Sequence, residues 1–201
     1  MQQTNATRKL VLTAMFIALI LLQCFVPWLG YIPINPVVQV TIIPFTIALG
    51  GMALGPKVGG MLGFIMGLYS LYNAWTMPVS IGALMFRNPI TAIVPRILVG
   101  VIVGIVYANF IRNRTFKVKA ISLFGLGALA ALTNTFFVMV ITWVGFSLMH
   151  TTFTGLPDNV GIVWLFTSLA GFNAIVELVV DGILGLLVGM PVLTYLAKFT
   201  A

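Results

Sequence analysis

Charge is what this sequence has least of: 6% of its 201 residues are Asp, Glu, Lys or Arg, against roughly 25% in soluble globular domains. That scarcity excludes an ordinary water-soluble domain. The acids number three, Asp158, Glu177 and Asp181, beside one histidine, His150, and one cysteine, Cys24. A disulfide framework, a zinc cage of Cys and His, and most thiol redox pairs are therefore excluded. No G-x-x-x-x-G-K-[ST] loop occurs, so the chain does not cradle ATP phosphates in the usual way. H-E-x-x-H and G-x-S-x-G are absent too, and a lone loop histidine leaves intramembrane proteolysis without its usual base. The run Gly125-Leu126-Gly127-Ala128-Leu129-Ala130 imitates a dinucleotide fingerprint, but it lies inside an apolar stretch with no strand before it. The chain is expected to be no enzyme and to need neither a cofactor nor a metal.

What is present is apolar surface: 61% hydrophobic side chains and a mean hydropathy of +1.15. A bilayer is the solvent such a chain suits, and at ~20 residues per crossing helix the length allows at most about seven or eight spans. Residues 1–201 are read as one integral-membrane domain. The net charge of +7 does not indicate nucleic acid, because the cations fall between apolar runs rather than along an exposed stripe.

Lys9 to Trp28 form a first apolar run, read as a retained helix rather than a cleaved signal peptide because no small-x-small site precedes a soluble domain. Gly30 to Val38 contain Pro33 and Pro36 and are predicted to be irregular. Gln39 to Leu54, with Pro44, make a short second segment closed by Gly55-Pro56-Lys57. Val58 to Leu71 return, Tyr72 to Pro89 form an aromatic, proline-containing connection, and Ile90 to Ile111 make a fourth span. A basic loop, Arg112 to Lys119, leads to a fifth over Ala120 to Met149. His150 to Asn159 connect it to a sixth within Val163 to Ala197, and His150 is read as a solvated loop residue. The expectation is an all-α bundle of six transmembrane helices. Eight of the ten cations, Arg8, Lys9, Lys57, Arg112, Arg114, Lys117, Lys119 and Lys198, then gather on one side, against Arg87 opposite. This positive-inside asymmetry predicts cytoplasmic termini in a multi-pass cell-membrane protein.

Lipid offers no hydrophobic drive for helix association, so small residues mark where helices approach closely. Gly59, Gly63 and Gly67 recur every fourth position, as do Gly100, Gly104 and Ala108. These rows are read as internal packing, with Gly185 and Gly189 a further pair. Ala14 and Ala18 suit either internal packing or contact with another subunit.

Charged groups within spans are functional suspects by default. Arg96 is predicted about five residues inside the fourth helix, or ~8 Å along it, with an ion pair to Glu177 or snorkelling to headgroups as its structural alternatives. Glu177 and Asp181 are four apart and share a helix face. Asn134 and Asn173 offer donors and acceptors, while Gln39, Tyr69, Tyr72, Asn73 and Trp75 lie near outer helix ends. Together these could line a pocket open to the outside, and singly each could be interhelical glue.

Several motifs carry a family likeness. They are Ala14-x-x-x-Ala18, Pro33-Ile34-Asn35-Pro36, Leu54-Gly55-Pro56-Lys57-x-Gly59, Phe86-Arg87-Asn88-Pro89, Pro95-Arg96-Ile97-Leu98-Val99-Gly100 and Asn173-x-x-x-Glu177. Over nearly its whole length the chain resembles the substrate-binding S component of energy-coupling factor (ECF) transporters, vitamin importers of prokaryotes. The stretch with Asn88-Pro89 and Pro95-Arg96 is most similar to the pantothenate-specific members, with pyridoxine or hydroxymethylpyrimidine binders as the alternative.

The resemblance implies that a vitamin is captured from outside and that the bundle then topples in the membrane. ATP hydrolysis on two separate ATPase subunits, linked through a transmembrane T subunit, drives that motion, and Ala14 and Ala18 match the T-subunit contact. With pantothenate as ligand, Arg96 would grip the carboxylate through two parallel hydrogen bonds. Asn134, Asn173 and Tyr72 would serve the amide and hydroxyls, Trp75 would wall the geminal methyls, and Glu177 would orient Arg96 or accept from a hydroxyl. The two acids also suit a cationic or neutral ring. Two readings from other classes are a proton-coupled secondary transporter using Glu177 or Asp181, for which no internal repeat is evident, and a purely structural membrane scaffold.

Overall fold

A computed structural model describes residues 2–33, 39–77, 81–149 and 171–197, and most of them are helical. Helix α1 (Gln2–Phe25) stops before Pro27. Val26 takes an extended conformation, as the residue before proline prefers, and Pro27 opens the single turn α2 (Pro27–Gly30). Strands β1 (Tyr31–Pro33) and β2 (Gln39–Thr41) then pair antiparallel, with Tyr31 opposite Thr41 and Ile32 opposite Val40. Gln39 to Thr41 thus do not begin the second helix as expected. Their β-branched residues extend into a ladder, and helix α3 (Ile43–Leu54) starts only where Pro44 can occupy its first turn.

Every residue of α3 from Ile43 to Met52 is buried, so this helix is surrounded by its neighbours. Gly55, at φ +100°, reverses the chain in a backbone region that a Cβ would strain. Helix α4 (Pro56–Thr76) runs further than predicted, which places Tyr72, Asn73 and Trp75 on a helix instead of in a connection. A 3₁₀ segment (Ile81–Arg87) follows. Helix α5 (Pro89–Val106) is capped by Asn88, whose side chain accepts from Ile90 N at 2.9 Å, and it ends in a π turn (Tyr107–Ile111). Helix α6 (Phe116–Met149) begins inside the predicted basic loop. Helix α7 (Gly171–Leu184), a π turn (Gly185–Gly189) and helix α8 (Met190–Ala197) complete the described chain. His150 to Asn159, and the start of the sixth predicted span, lie outside the described residues.

Among the described residues, four helical stretches are long and apolar enough to cross a membrane: Ala6–Phe25, Pro89–Ile111, Phe116–Gly145 and Ala174–Leu196. Ile43–Leu54 is apolar but shorter, about 18 Å at 1.5 Å per residue. The architecture is an all-α, multi-pass membrane fold.

The glycine rows face one another across α4 and α5. A Cβ at Gly59 would stand 2.5 Å from the Gly100 carbonyl oxygen, one at Gly67 2.7 Å from Ile93 Cα, and one at Gly104 2.9 Å from Pro56 Cα. Two backbones in contact leave no room for side chains, so the glycines of these rows pack internally, whereas Ala108, expected to continue the second row, is exposed because it lies in the π turn beyond the seam. Helices α6 and α7 run antiparallel, with Gly127 against the Asp181 backbone and Gly185 against that of Leu123. On α1, Phe16, Ile20 and Cys24 point inward, while Ala14, Met15, Ala18 and Leu19 are exposed.

Candidate functional site

Pro95 begins the site. Lacking an N–H, it leaves the carbonyl four residues back, that of Thr91, without its helical partner. The Arg96 side chain takes that vacant acceptor: Nη1 donates to the Thr91 oxygen at 3.0 Å. Arg96 lies seven positions beyond Pro89, the first residue of α5, and at 3% exposure it does not snorkel. The Phe86 ring covers the guanidinium, with its centroid 4.1 Å from Cζ, and Nε has no hydrogen-bond partner among the described residues.

Glu177 is buried on α7. Its Oε1 accepts the Thr41 backbone N–H at 3.0 Å, which ties the β1–β2 hairpin to α7, and the Thr135 hydroxyl of α6 also bonds its carboxylate. Arg96 and Glu177 attract one another through their fields with no hydrogen bond between them. The expected alternatives for Arg96, a direct ion pair or snorkelling, are therefore both replaced by a carbonyl anchor and a ring. The hydroxyl of Tyr31, on the hairpin, lies in the field of both charges, and burial pushes its pKa up.

Asp181 is fully buried one helical turn beyond Glu177, and neither carboxylate oxygen has a partner among the described residues. Asn134 is buried on α6 with its Oδ1 likewise unpartnered. The antiparallel register of α6 and α7 brings Asn134 level with the start of α7, where Asn173 lies. The side chains of Asn173 and Gln39 fall outside the described residues, although Asn173 is helical and Gln39 belongs to β2.

Tyr72 and Trp75, each 64% exposed, do not reach this buried cluster. Trp75 instead donates from Nε1 to the Arg87 carbonyl at 3.2 Å and lies beneath the Arg87 guanidinium, 5.3 Å from ring centroid to Cζ. Arg87 Nε donates to the Ala74 carbonyl at 3.0 Å. This clasp fixes the 3₁₀ segment that carries Phe86. Asn73 is half-buried, and its carbonyl accepts from Met77 N at 2.8 Å, closing α4. Tyr69 bridges helices, its hydroxyl donating to the Cys24 carbonyl at 2.6 Å.

Sequence reasoning missed Phe86, Thr91, Tyr31, Thr41 and Thr135. Thr91 had a signal, since Pro95 identifies the carbonyl it frees. The others reach the site only through folding. Chemically, the cluster offers one caged cation with an unused N–H edge, flanked by amide and carboxyl groups. An unpartnered guanidinium N–H beside amide and carboxyl groups is the chemistry that suits a small polar anion. No group of three or more His, Cys, Asp or Glu that could hold a metal occurs among the described residues.

Residues 8–196 match the family model described as "ECF transporter, substrate-specific component". A curated relative, the pantothenate transporter PanT of Leuconostoc mesenteroides subsp. mesenteroides, is 45% identical over 188 residues, covering 92% of each chain.

Proposed function

The chain belongs to the substrate-specific components of ECF transporters, and on that premise we propose that the vitamin it captures is pantothenate. The observation that carries this reading is a buried Arg96 that no acid among the described residues hydrogen-bonds, with Nε unused. A cation placed so deep costs about 2.5–3.5 kcal/mol on the insertion scale, and an anionic ligand offsets that cost. Pantothenate has one carboxylate for Arg96, and an amide and two hydroxyls for Asn134 and, on the same reading, Asn173. The similarity to a pantothenate transporter supports the same choice. Glu177, already accepting from Thr41 and Thr135, orients the hairpin and balances Arg96. Tyr72 and Trp75 belong to the rim.

On this reading the six apolar runs cross the membrane, and the cation asymmetry supports cytoplasmic termini. The site then opens outward, and the capture subunit delivers its vitamin by toppling, with ATP hydrolysed on two separate subunits. The exposed face of α1 around Ala14 and Ala18 is the surface offered to the T subunit. The unpartnered oxygens of Asp181 favour one second reading, a pyridoxine-type ring ligand.

Calorimetry on the purified chain with pantothenate, pyridoxine and hydroxymethylpyrimidine distinguishes the two. Pantothenate is expected to bind tightly to the wild type and to lose at least about 100-fold in affinity in Arg96→Gln, the scale of a lost charge-assisted bidentate pair. Tight pantothenate binding that survives the substitution would reject the assignment.

A further inference from the structure

A guanidinium can present two parallel N–H groups along either of two edges, end-on through Nη1 and Nη2 or side-on through Nε and Nη2. In this protein the edges are not equivalent. Nη1 is turned toward the Thr91 carbonyl, 3.0 Å away, which compromises the end-on edge. Nε is buried with no partner among the described residues, so the side-on edge has no protein acceptor at Nε. One face of the plane is closed by Phe86, whose centroid lies 4.1 Å from Cζ.

We infer that Phe86 and the Thr91 carbonyl together hold Arg96 so that a ligand carboxylate is received side-on, by Nε and Nη2, and that Phe86 thereby sets selectivity for an acid over its neutral analogue. The inference rests on the reading of the site as a pantothenate site. It adds a positioning residue that does not itself supply a hydrogen bond to the carboxylate.

The physics is a competition for one cation. Glu177 attracts Arg96 across the site, and a guanidinium free to rotate would turn toward that carboxylate and meet an incoming anion already neutralised. A π face against a desolvated guanidinium contributes enough to oppose such a swing. The ring is held independently of any ligand, because its neighbour Arg87 is bonded to Ala74 and clasped by Trp75 on α4. Pro95 acts from the other side: without an N–H, it leaves the Thr91 carbonyl available to Nη1 instead of to the helix.

The test compares pantothenate with pantothenyl alcohol, which replaces the carboxylate by a hydroxymethyl group, on the purified full chain. The wild type is expected to prefer the acid by about 100-fold. F86L keeps apolar bulk without the π face and is expected to reduce that preference about tenfold, while affinity for the alcohol stays within about twofold. F86Y restores the preference. Pro95→Ala, which returns a helical partner to the Thr91 carbonyl, is expected to lower the same ratio without altering Phe86, and it serves if F86L fails to fold. A preference unchanged in F86L or P95A, or equal losses for acid and alcohol, overturns the inference while leaving the pantothenate reading intact. A wild type that does not distinguish acid from alcohol overturns both.

Discussion

Burying a charge without a counter-charge is expensive, and Arg96 meets that cost through backbone and ring. The carbonyl freed by Pro95 accepts from Nη1, and Phe86 supplies a π face. Glu177 is held differently, by the Thr41 N–H and the Thr135 hydroxyl, and this separates its charge from its hydrogen bonding. Glu177→Gln keeps an oxygen for Thr41 but removes the negative field near the ligand carboxylate. It is expected to bind pantothenate with equal or higher affinity in calorimetry. Glu177→Ala strips the hairpin of its anchor and is expected to lower the melting temperature, in line with about 1–3 kcal/mol for a buried amide left unpaired. A folded Glu177→Gln protein with more than tenfold weaker binding would make Glu177 a direct ligand contact. At this scale Arg96 and Glu177 were legible in the sequence because charges are rare there. Phe86 was not, since a phenylalanine among fifteen carries no mark of what it will stack upon.

Helices α4 and α5 meet backbone to backbone, and the reason is readable in their four-residue glycine spacing. Gly59 faces Gly100, Gly63 faces Arg96 and Gly67 faces Ile93. The Gly63 contact falls on the Arg96 backbone itself, so the glycine seam also sets the depth and rotation of the site's cation. Gly100→Val is expected to destabilise the protein by about 3 kcal/mol or more, because the obstruction is backbone and cannot rotate away. Thermal unfolding of the purified variant checks this, and an unchanged melting temperature would mean the two helices are not in contact there. The hairpin was not legible at this scale. Pro33 correctly excluded helix where β1 forms, but a ladder of three residues per strand depends on a partner and on Glu177 waiting at its edge. Helix α4 outruns its sequence expectation for a related reason: no strong breaker follows Tyr72 before Pro78, and the aromatic, polar character of Tyr72 to Thr76 reflects an exposed helix end rather than a loop.

The molecule as a whole is a membrane-embedded capture subunit of an ECF transporter, and its outer surface carries a second kind of information. Ala14 and Ala18 are exposed beside Met15 and Leu19, where lipid alone would accept larger side chains, and a partner helix would need small ones. Ala14→Trp is expected to leave pantothenate affinity unchanged while abolishing co-purification with the T subunit and uptake by the assembled transporter. Retained co-purification would move the docking face elsewhere. Proteoliposomes holding this chain alone, under a proton gradient and without ATPase subunits, are expected to show no uptake. Accumulation there would favour a self-sufficient carrier. The sequence by itself determined the solvent, the helical class, the glycine seams and the buried charges, because each follows from local composition and from a periodicity that any fold must respect. Only the tertiary structure decided which groups those charges meet. Glu177 went to a strand amide and Arg96 to a carbonyl and a ring, because partners from distant segments are chosen by packing, and packing is a property of the assembled bundle.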